Sequence, residues 1–330
     1  MAHLRTRGAS KENIGARSVA SDPFAETASW REHFRRIQNG AEPVSERVWR
    51  NVPRSPPTVV AGLEATPTHK EVKLVISKLK SGKAPGVDGV CAEMLKWGPL
   101  GLFDAVASVV RRLWDETLAS EANTEVDSWP QDWLDATVIP LWKKKHPKTD
   151  KGNWRGITLL SIGVKIFARI VASRLQTFSE TFMDEEQQGF RRNRGVDDVL
   201  QVSRRVAEEV CFANDGETVL LTLYDIEKAY PTVNREALWE LLDRRGAPAG
   251  FIKACRALHD FTQFHIRVAG TASESYTADR GLKEGCPSSP PLFNIYHQAV
   301  MQDFRQRRKR HAEQTGSVPG LAWKYQVDDR

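Results

Sequence analysis

The chain has 330 residues, of which 40% are hydrophobic and 27% charged, so it is large enough for one large folded domain or two ordinary ones. Its net charge of +6 favours an anionic partner, and four cysteines without a CxxC pair argue against a disulfide scaffold or a structural zinc site. The first residues lack the apolar core of a signal peptide, and no stretch approaches the ~18 apolar residues of a membrane span. We therefore expect an intracellular protein, nuclear or cytoplasmic, that is not secreted and binds no membrane.

Residues 1–67 are predicted to form a flexible basic arm or linker. Residues 1–60 have little apolar periodicity and are rich in Arg, Ser, Ala and Pro, with one short helix expected around Trp30–Ile37. The segment from Thr68 to Glu71 has the form of a capping box that precedes apolar residues at helical spacing. We therefore expect the folded part of the chain to begin at residue 68.

Helices and strands alternate irregularly through the rest of the chain. Further helices are predicted over Phe103–Leu118, Val164–Phe178 and Asp197–Phe212, after Asn234, and from Ser289 to the basic run Arg305–Arg310. Strands are predicted over Ala136–Trp142, Thr218–Tyr224, His265–Val268, Ser275–Thr277 and Ala322–Val327. This mixed order favours an α+β fold over a regular doubly wound one.

Carboxylates stand directly after two of the predicted strands. Asp225 follows the apolar run TVLLTLY, and Asp328 and Asp329 follow the last strand. Hard divalent cations prefer oxygen ligands, and two such ions bridged by aspartates form the clamp that polymerases and nucleases use for phosphoryl transfer. Because aspartates after strands also form turns and cap helices, a structural role stays open beside the metal site.

Basic and aromatic residues alternate after the strand that ends at Trp142. Lys143–Lys145 follow at once, and Trp154 and Arg155 come about ten residues later. Basic groups beside aromatic ones suit phosphates and stacked bases, although a solvated lysine-rich turn has the same composition. The arginines of GFRRNRG (189–195) form a second cluster, for which a solvated loop is again the alternative.

Six segments, taken in order, resemble the reverse transcriptase of non-LTR (LINE-type) retrotransposons. They are GKAPGVDGVCAEMLK (82–96), VIPLWKKKHPKTDKGNWRGITLLSIGVKIFARIVASRL (138–175), EEQQGFRRNRGVDDVL (185–200), LLTLYDIEKAYPTVNREALWELL (220–242), GLKEGCPSSPPLFNIY (281–296) and YQVDD (325–329). The order makes the resemblance specific, and it covers about residues 68–329. Trp30–Phe34 also resembles a Trp-x-x-x-Phe stretch upstream of that domain.

The resemblance implies a right-hand polymerase fold, with fingers over about residues 68–212 and a palm over about residues 213–330. It implies an RNA-directed DNA polymerase, whose partners are an RNA template, a DNA primer and dNTPs, and whose cofactor is two Mg²⁺ ions or Mn²⁺ in their place. Asp225 and Asp328 would hold both ions, Asp329 would support them, and Ile226 would offer its backbone carbonyl.

The resemblance also assigns residues to the incoming nucleotide. Arg155 and one of Lys143–Lys145, with Lys143 and Lys145 as the candidates, would neutralise the triphosphate. Tyr230 would be the gate whose ring clashes with a 2′-hydroxyl, with core packing as its structural alternative. Glu284 stands where the family usually has Gln, and an ionised carboxylate accepts hydrogen bonds only and repels phosphate.

The Asp328–Asp329 pair stands next to the last residue, whereas the family continues into a returning strand and a thumb. We therefore expect a domain truncated at this motif, with the thumb missing and little or no activity alone. Two alternatives stay open: a non-enzymatic remnant that binds nucleic acid through its basic fingers, and a metal-dependent nuclease that uses the same aspartates.

Overall fold

The computed structural model describes residues 22–39, 47–50, 52, 54, 62–120, 128–213 and 223–316. The helices are α1 (Pro23–Gln38), α2 (Arg47–Arg50), α3 (His69–Ser77), α4 (Ala92–Trp97), α5 (Leu100–Ala119), α6 (Gln131–Leu134), α7 (Ile162–Ser179), α8 (Val196–Ala213), α9 (Arg235–Arg244), α10 (Ala249–His259) and α11 (Ser289–Thr315). The strands are β1 (Asp135–Trp142), β2 (Trp154–Leu159), β3 (Gln263–Val268) and β4 (Thr271–Ala272). The predicted mixed α+β class is confirmed.

One mixed sheet has the strand order β2-β1-β3-β4. β1 is antiparallel to β2, with Leu141 opposite Arg155, and parallel to β3, with Val138 opposite Ile266. The predicted hairpin between His265–Val268 and Ser275–Thr277 is only partly present, because β3 pairs with β4 and the later segment contributes a single bridge at Tyr276.

The helix α7 is the centre of the core. Its residues from Ile162 to Ser179 are buried on most sides, and Phe167 packs against Trp114 of α5 and against Trp129, with ring centroids 5.2 and 5.0 Å apart. Such continuous burial fits its largely apolar sequence.

Two predicted helix starts are confirmed in detail. The side chain of Thr68 accepts a hydrogen bond from the backbone N–H of Glu71 at 3.1 Å. The side chain of Asn234 accepts one from Ala237 at 2.9 Å. Each bond satisfies a donor that the first helical turn leaves without a partner.

The short helix predicted around Trp30–Ile37 is present as part of α1 (Pro23–Gln38), but the prediction that it belongs to a flexible arm is wrong, because α1 lies on the sheet. Trp30 and Phe34 belong to the main core, and the Trp30 ring lies 5.3 Å from that of Trp154 on β2. Gly156 leaves room for the Phe34 ring, since a Cβ there would meet it at 2.7 Å. Two aromatic side chains four residues apart therefore hold a helix whose average composition is polar. The boundary at residue 68 stays a prediction.

The predicted buried strand Thr218–Tyr224 is wrong at its described end. Leu223 and Tyr224 are not in a strand, and they are 85% and 90% exposed. A β-prone run forms a strand only when a neighbour satisfies its backbone groups, and neither residue pairs with another described segment. Residues 218–222, and the predicted strand Ala322–Val327, lie outside the described residues.

Among the helices described, none combines the length and the hydropathy that a bilayer crossing requires.

Replacing Trp30 by Ala tests whether α1 belongs to the core. Trp30 is 7% exposed, and truncating a buried aromatic side chain costs about 3–5 kcal/mol. We expect Trp30→Ala to lower the urea midpoint strongly in unfolding followed by circular dichroism. Phe24→Ala is the matched control, because Phe24 lies on the same helix and is 70% exposed. Equal midpoints for the two variants would contradict the packing of α1.

Candidate active site

The loop between β1 and β2 carries the lysines that sequence analysis singled out. The backbone N–H of Lys143 donates to Asn153 at 2.9 Å, and its ammonium donates to the carbonyl of Gly152 at 3.2 Å. Lys144 and Lys145 are exposed. The pairing of β1 with β2 places Arg155 near the base of the same loop. Hydrogen bonds within the loop therefore hold Lys143, and strand pairing holds Arg155, whereas the Lys145 side chain forms no hydrogen bond or ion pair with any other described residue.

The tryptophans of this loop have structural roles. The indole of Trp142 donates to the carbonyl of Lys145 at 2.8 Å, and that of Trp154 donates to the carbonyl of Lys148 at 2.9 Å. Trp154 also packs against Trp30. The two indole rings fix the shape of the loop. This structural role accounts for the tryptophans among the basic residues, and it does not require a nucleic-acid base stacked on them.

A second loop, residues 281–289, is attached to β2. The backbone N–H of Thr158 donates to the carbonyl of Glu284 at 2.8 Å. Gly285 has φ of 108°, and a Cβ there would lie 2.8 Å from the carbonyl oxygen of Thr158. Both the conformation and the close approach require glycine at this position. The attachment brings Oε2 of Glu284 to 3.3 Å from Nε of Arg155.

The same loop is bound on its other side by the turn that contains Tyr230. The backbone N–H of Leu282 donates to the carbonyl of Tyr230 at 2.8 Å, and that of Gly281 donates to Val233 at 2.7 Å. The Tyr230 ring is half-buried and packs edge-on against Phe293 of α11 at 5.4 Å. The aromatic side chain is therefore fixed beside the Glu284 loop.

Charge links these residues into one cluster, which we call the Arg155 cluster: Lys143, Arg155, Tyr230 and Glu284. Burial raises the pKa of Glu284, and the positive charges of Arg155 and Lys143 oppose that rise. Burial, and then the charge of Glu284, raise the pKa of Tyr230. The Glu284 side chain is 22% exposed and that of Arg155 is 57% exposed, so solvent reaches the basic side of the cluster.

The predicted metal ligands are only partly described. Asp225 and Ile226 are exposed, and Asp225 forms no hydrogen bond or ion pair with any other described residue. A free carboxylate and a backbone carbonyl are oxygen donors of the kind that Mg²⁺ takes. Within the described ranges no group of three His, Cys, Asp or Glu side chains could hold an ion. Asp328 and Asp329 lie outside these ranges.

The arginines of residues 189–195 are occupied by the protein itself. The guanidinium of Arg191 pairs with Glu180 at 2.6 Å, and that of Arg194 pairs with Glu185 at 2.5 Å. Arg192 donates to the Ser173 hydroxyl at 3.0 Å. These contacts anchor the segment to the end of α7, so a structural role explains the cluster.

Lys283, which no sequence pattern indicated, is a buried residue of the 281–289 loop. Its ammonium donates to the Thr262 hydroxyl at 3.0 Å, and burial lowers its pKa to about 8. Its backbone carbonyl accepts from the Ser289 hydroxyl at 2.8 Å. Lysine is seldom fully buried, so no local signal predicts this position. Cys286 is buried as well, with its Sγ 3.1 Å from the Ser288 hydroxyl.

The pH dependence of stability tests the environment of Glu284. Because the pKa of Glu284 is raised in the folded state, the folded chain binds that proton more tightly than the unfolded chain does, and the ionised carboxylate reduces stability. We expect Glu284→Gln to unfold at a higher urea concentration than the unmodified chain at pH 7. The difference should shrink as the pH falls through the pKa of Glu284.

Glu313→Gln, at an exposed position on α11, is the control and should show little difference at either pH. A stability gap between Glu284→Gln and the unmodified chain that grows on acidification would contradict the assignment.

Comparison with known proteins identifies the family. Residues 143–317, more than half of the chain, match the model of the reverse transcriptase (RNA-dependent DNA polymerase) family. The probable RNA-directed DNA polymerase from transposon BS of Drosophila melanogaster is 25% identical over 229 residues, which are 69% of this chain and 24% of that protein. The corresponding protein from the X-element of the same species is 26% identical over 235 residues, which are 70% of this chain and 24% of that protein.

A third relative is the Pol polyprotein of the type-2 retrotransposable element R2DM of Drosophila melanogaster. It is 25% identical over 232 residues, which are 68% of this chain and 20% of that protein. The chain thus spans between a fifth and a quarter of the length of these curated relatives. The family match includes Lys143, Arg155, Tyr230 and Glu284. The chain belongs to the reverse transcriptase family and is related to the enzymes of non-LTR retrotransposons.

Proposed function

We propose that this chain forms the fingers and palm of a right-hand polymerase that adds dNTPs to a primer 3′-hydroxyl on an RNA template. The observation that carries the proposal is the Arg155 cluster, in which Glu284 pairs with Arg155 at 3.3 Å and interacts electrostatically with Lys143 and with Tyr230. These four residues come from three segments that are far apart in the sequence. The names of the relatives, as RNA-directed DNA polymerases of mobile elements, support the same reaction.

The metal ligands of the proposed reaction are Asp225, Asp328 and Asp329, with the backbone carbonyl of Ile226. The donor set is oxygen only, which fits Mg²⁺ and also Mn²⁺, and Asp225 has no partner among the described residues that would compete for its carboxylate. When bound, two such ions supply polarisation of the attacking hydroxyl and neutralisation of the phosphate charge.

Lys143 and Arg155 bind the triphosphate of the incoming nucleotide in this proposal. Phosphoryl transfer needs little from a protein beyond positioning and charge stabilisation, and a guanidinium with an exposed face can bind two phosphate oxygens at once. The backbone of the β1–β2 loop fixes Lys143, and the strand pairing fixes Arg155. Lys145 lies on the same loop and is the alternative cation.

Tyr230 selects the sugar in this proposal. Its ring packs against Phe293, and its backbone is bound to the 281–289 loop, so the ring has little freedom to move aside. A 2′-hydroxyl next to a fixed ring is excluded by contact, which distinguishes a ribonucleotide from a deoxynucleotide.

Glu284 opposes nucleotide binding. Its carboxylate pairs with the Arg155 guanidinium, so a triphosphate has to compete with it for the same cation, and the two negative groups repel each other. Glutamine at this position would retain hydrogen-bonding capacity and remove the competing charge.

Primer extension on poly(rA)/oligo(dT) with Mg²⁺ tests the proposed reaction, with the rates of variants compared against the low rate expected of this domain alone. We expect Asp225→Asn to reduce dTTP incorporation by about a hundredfold or more, because a single charge-stabilising group is worth that factor. Asp104→Asn, on the exposed face of α5, should retain the rate. Chelation of the metal with EDTA should abolish incorporation.

Equal rates for Asp225→Asn and Asp104→Asn would contradict the role of Asp225. Salt-sensitive nucleic-acid binding without incorporation would instead favour a binding remnant. Cleavage of a duplex without added nucleotides would favour a nuclease.

The competition between Glu284 and the nucleotide is tested by the KM for dTTP. We expect Glu284→Gln to lower the KM by about tenfold, since removing one opposing charge next to a charged hydrogen bond is worth about 1.4 kcal/mol. Glu313→Gln should leave the KM unchanged. A KM that rises in Glu284→Gln would show that the carboxylate assists binding, contrary to the proposal.

A further inference from the structure

Lys283 has no part in the proposed reaction, although it lies between the two attachments of the 281–289 loop. On one side of it, the backbone N–H of Leu282 binds the turn that contains Tyr230. On the other side, the backbone carbonyl of Glu284 binds β2. The Lys283 side chain is 3% exposed and is therefore buried in the core below the loop. A side chain in this position can fix the backbone between two residues of the Arg155 cluster.

The Lys283 ammonium is bound at the C-terminal end of α10. It donates to the hydroxyl of Thr262, which lies shortly after the last residue of that helix, at 3.0 Å. The negative end of the helix dipole favours a cation there. Lys283 forms no ion pair with any residue that the structure describes. Asp260, whose charge favours the ammonium, is itself paired with Arg235 at 2.9 Å.

A lysine at position 283 is unfavourable for stability alone. Burial removes the hydration of its ammonium, and a single hydroxyl replaces only part of that hydration. Methionine would occupy a similar volume without this cost. A buried polar group can instead select one arrangement of the chain, because other arrangements leave it without a partner. The ammonium therefore favours the loop position in which it reaches Thr262.

The end of α10 holds the same loop at two further points. Nε2 of His259 lies 3.0 Å from the Ser288 hydroxyl, after Lys283 in the sequence. Before Lys283, the guanidinium of Arg235, which pairs with Asp260, donates to the carbonyl of Gly281 at 3.4 Å. The loop therefore has a fixed base along its length, and Lys283 supplies the contact between the other two.

We propose that Lys283 and Thr262 are positioning residues for sugar selection, an inference that rests on the proposed role of Tyr230. Both side chains are 3% exposed, so they act through the backbone and do not touch the nucleotide. The hydrogen bond from Leu282 to the carbonyl of Tyr230 transmits the position of the loop to the aromatic ring. Without the contact between Lys283 and Thr262, the loop and the Tyr230 turn can shift, and the ring excludes a 2′-hydroxyl less well.

The ratio of kcat/KM for dTTP to kcat/KM for UTP, measured by primer extension on poly(rA)/oligo(dT), tests the proposal. This ratio does not depend on the fraction of active enzyme, so partial unfolding of a variant leaves it unchanged. We expect Thr262→Val and Lys283→Met each to lower the ratio by about fivefold, because a small displacement of a positioned group has a large effect on rate. Thr262→Ser keeps the hydroxyl and should retain the ratio.

Two further variants separate positioning from stability and from the gate itself. Thr117→Val removes another buried hydroxyl, one that accepts a hydrogen bond from the Trp129 indole at 3.0 Å and lies on α5. It should lower the urea midpoint, as Thr262→Val does, and retain the ratio. Tyr230→Ala removes the ring and should lower the ratio by about tenfold.

Hydrogen exchange provides a readout that needs no turnover. The backbone N–H groups of Leu282 and Thr158 make the two bonds that attach the loop. Both should exchange faster in Thr262→Val than in Thr262→Ser, because loosening of the loop opens these bonds more often. The same two groups should exchange at the unmodified rate in Thr117→Val.

A lower ratio in Thr262→Val and Lys283→Met, with retention in Thr262→Ser and Thr117→Val, would support the proposal. A lower ratio in Tyr230→Ala alone would overturn it and leave the proposed role of Tyr230 intact. An unchanged ratio in Tyr230→Ala would overturn both. Equal losses in Thr117→Val and Thr262→Val, or unchanged exchange at Leu282 and Thr158 in Thr262→Val, would also overturn the positioning role.

Discussion

The attachment of the 281–289 loop to its two neighbours is the constraint on which the site depends. Backbone hydrogen bonds from Thr158 to Glu284 and from Leu282 to Tyr230 hold the loop between β2 and the turn before α9. These bonds bring together residues that are far apart in the chain. Glycine at 285 permits the close approach to β2, and the buried Lys283 anchors the loop from below through Thr262.

The same loop separates two basic regions. Glu284 belongs to the Arg155 cluster, while Gly285 and Pro287 line a cavity together with Lys165 and Arg169. In the proposed reaction, the Glu284 carboxylate limits the binding of a triphosphate, because it pairs with the Arg155 guanidinium that the triphosphate would bind.

Periodicity and caps predicted the helices well, because α5, α7 and α8 each have a regular apolar face and the helix starts at Thr68 and Asn234 depend on neighbouring residues only. Packing between distant segments was not predictable in this way. Trp30 joins the core partly through Trp154, which lies opposite it on β2, and no local sequence pattern predicts that contact. Family resemblance, rather than spacing, singled out Tyr230 and Glu284, whereas the alternation of basic and aromatic residues already indicated Arg155. Their grouping in space depends on loop contacts that no short motif encodes. The roles of Asp328 and Asp329 stay predictions.

The central claim is that Glu284 acts on nucleotide binding through Arg155. A double-mutant cycle with Arg155→Gln and Glu284→Gln, measured as the KM for dTTP in primer extension, tests it most directly. The account predicts that Glu284→Gln improves nucleotide binding when Arg155 is present and loses most of that effect when Arg155 is replaced. Additive effects of the two substitutions would show that the residues act independently and would contradict the account.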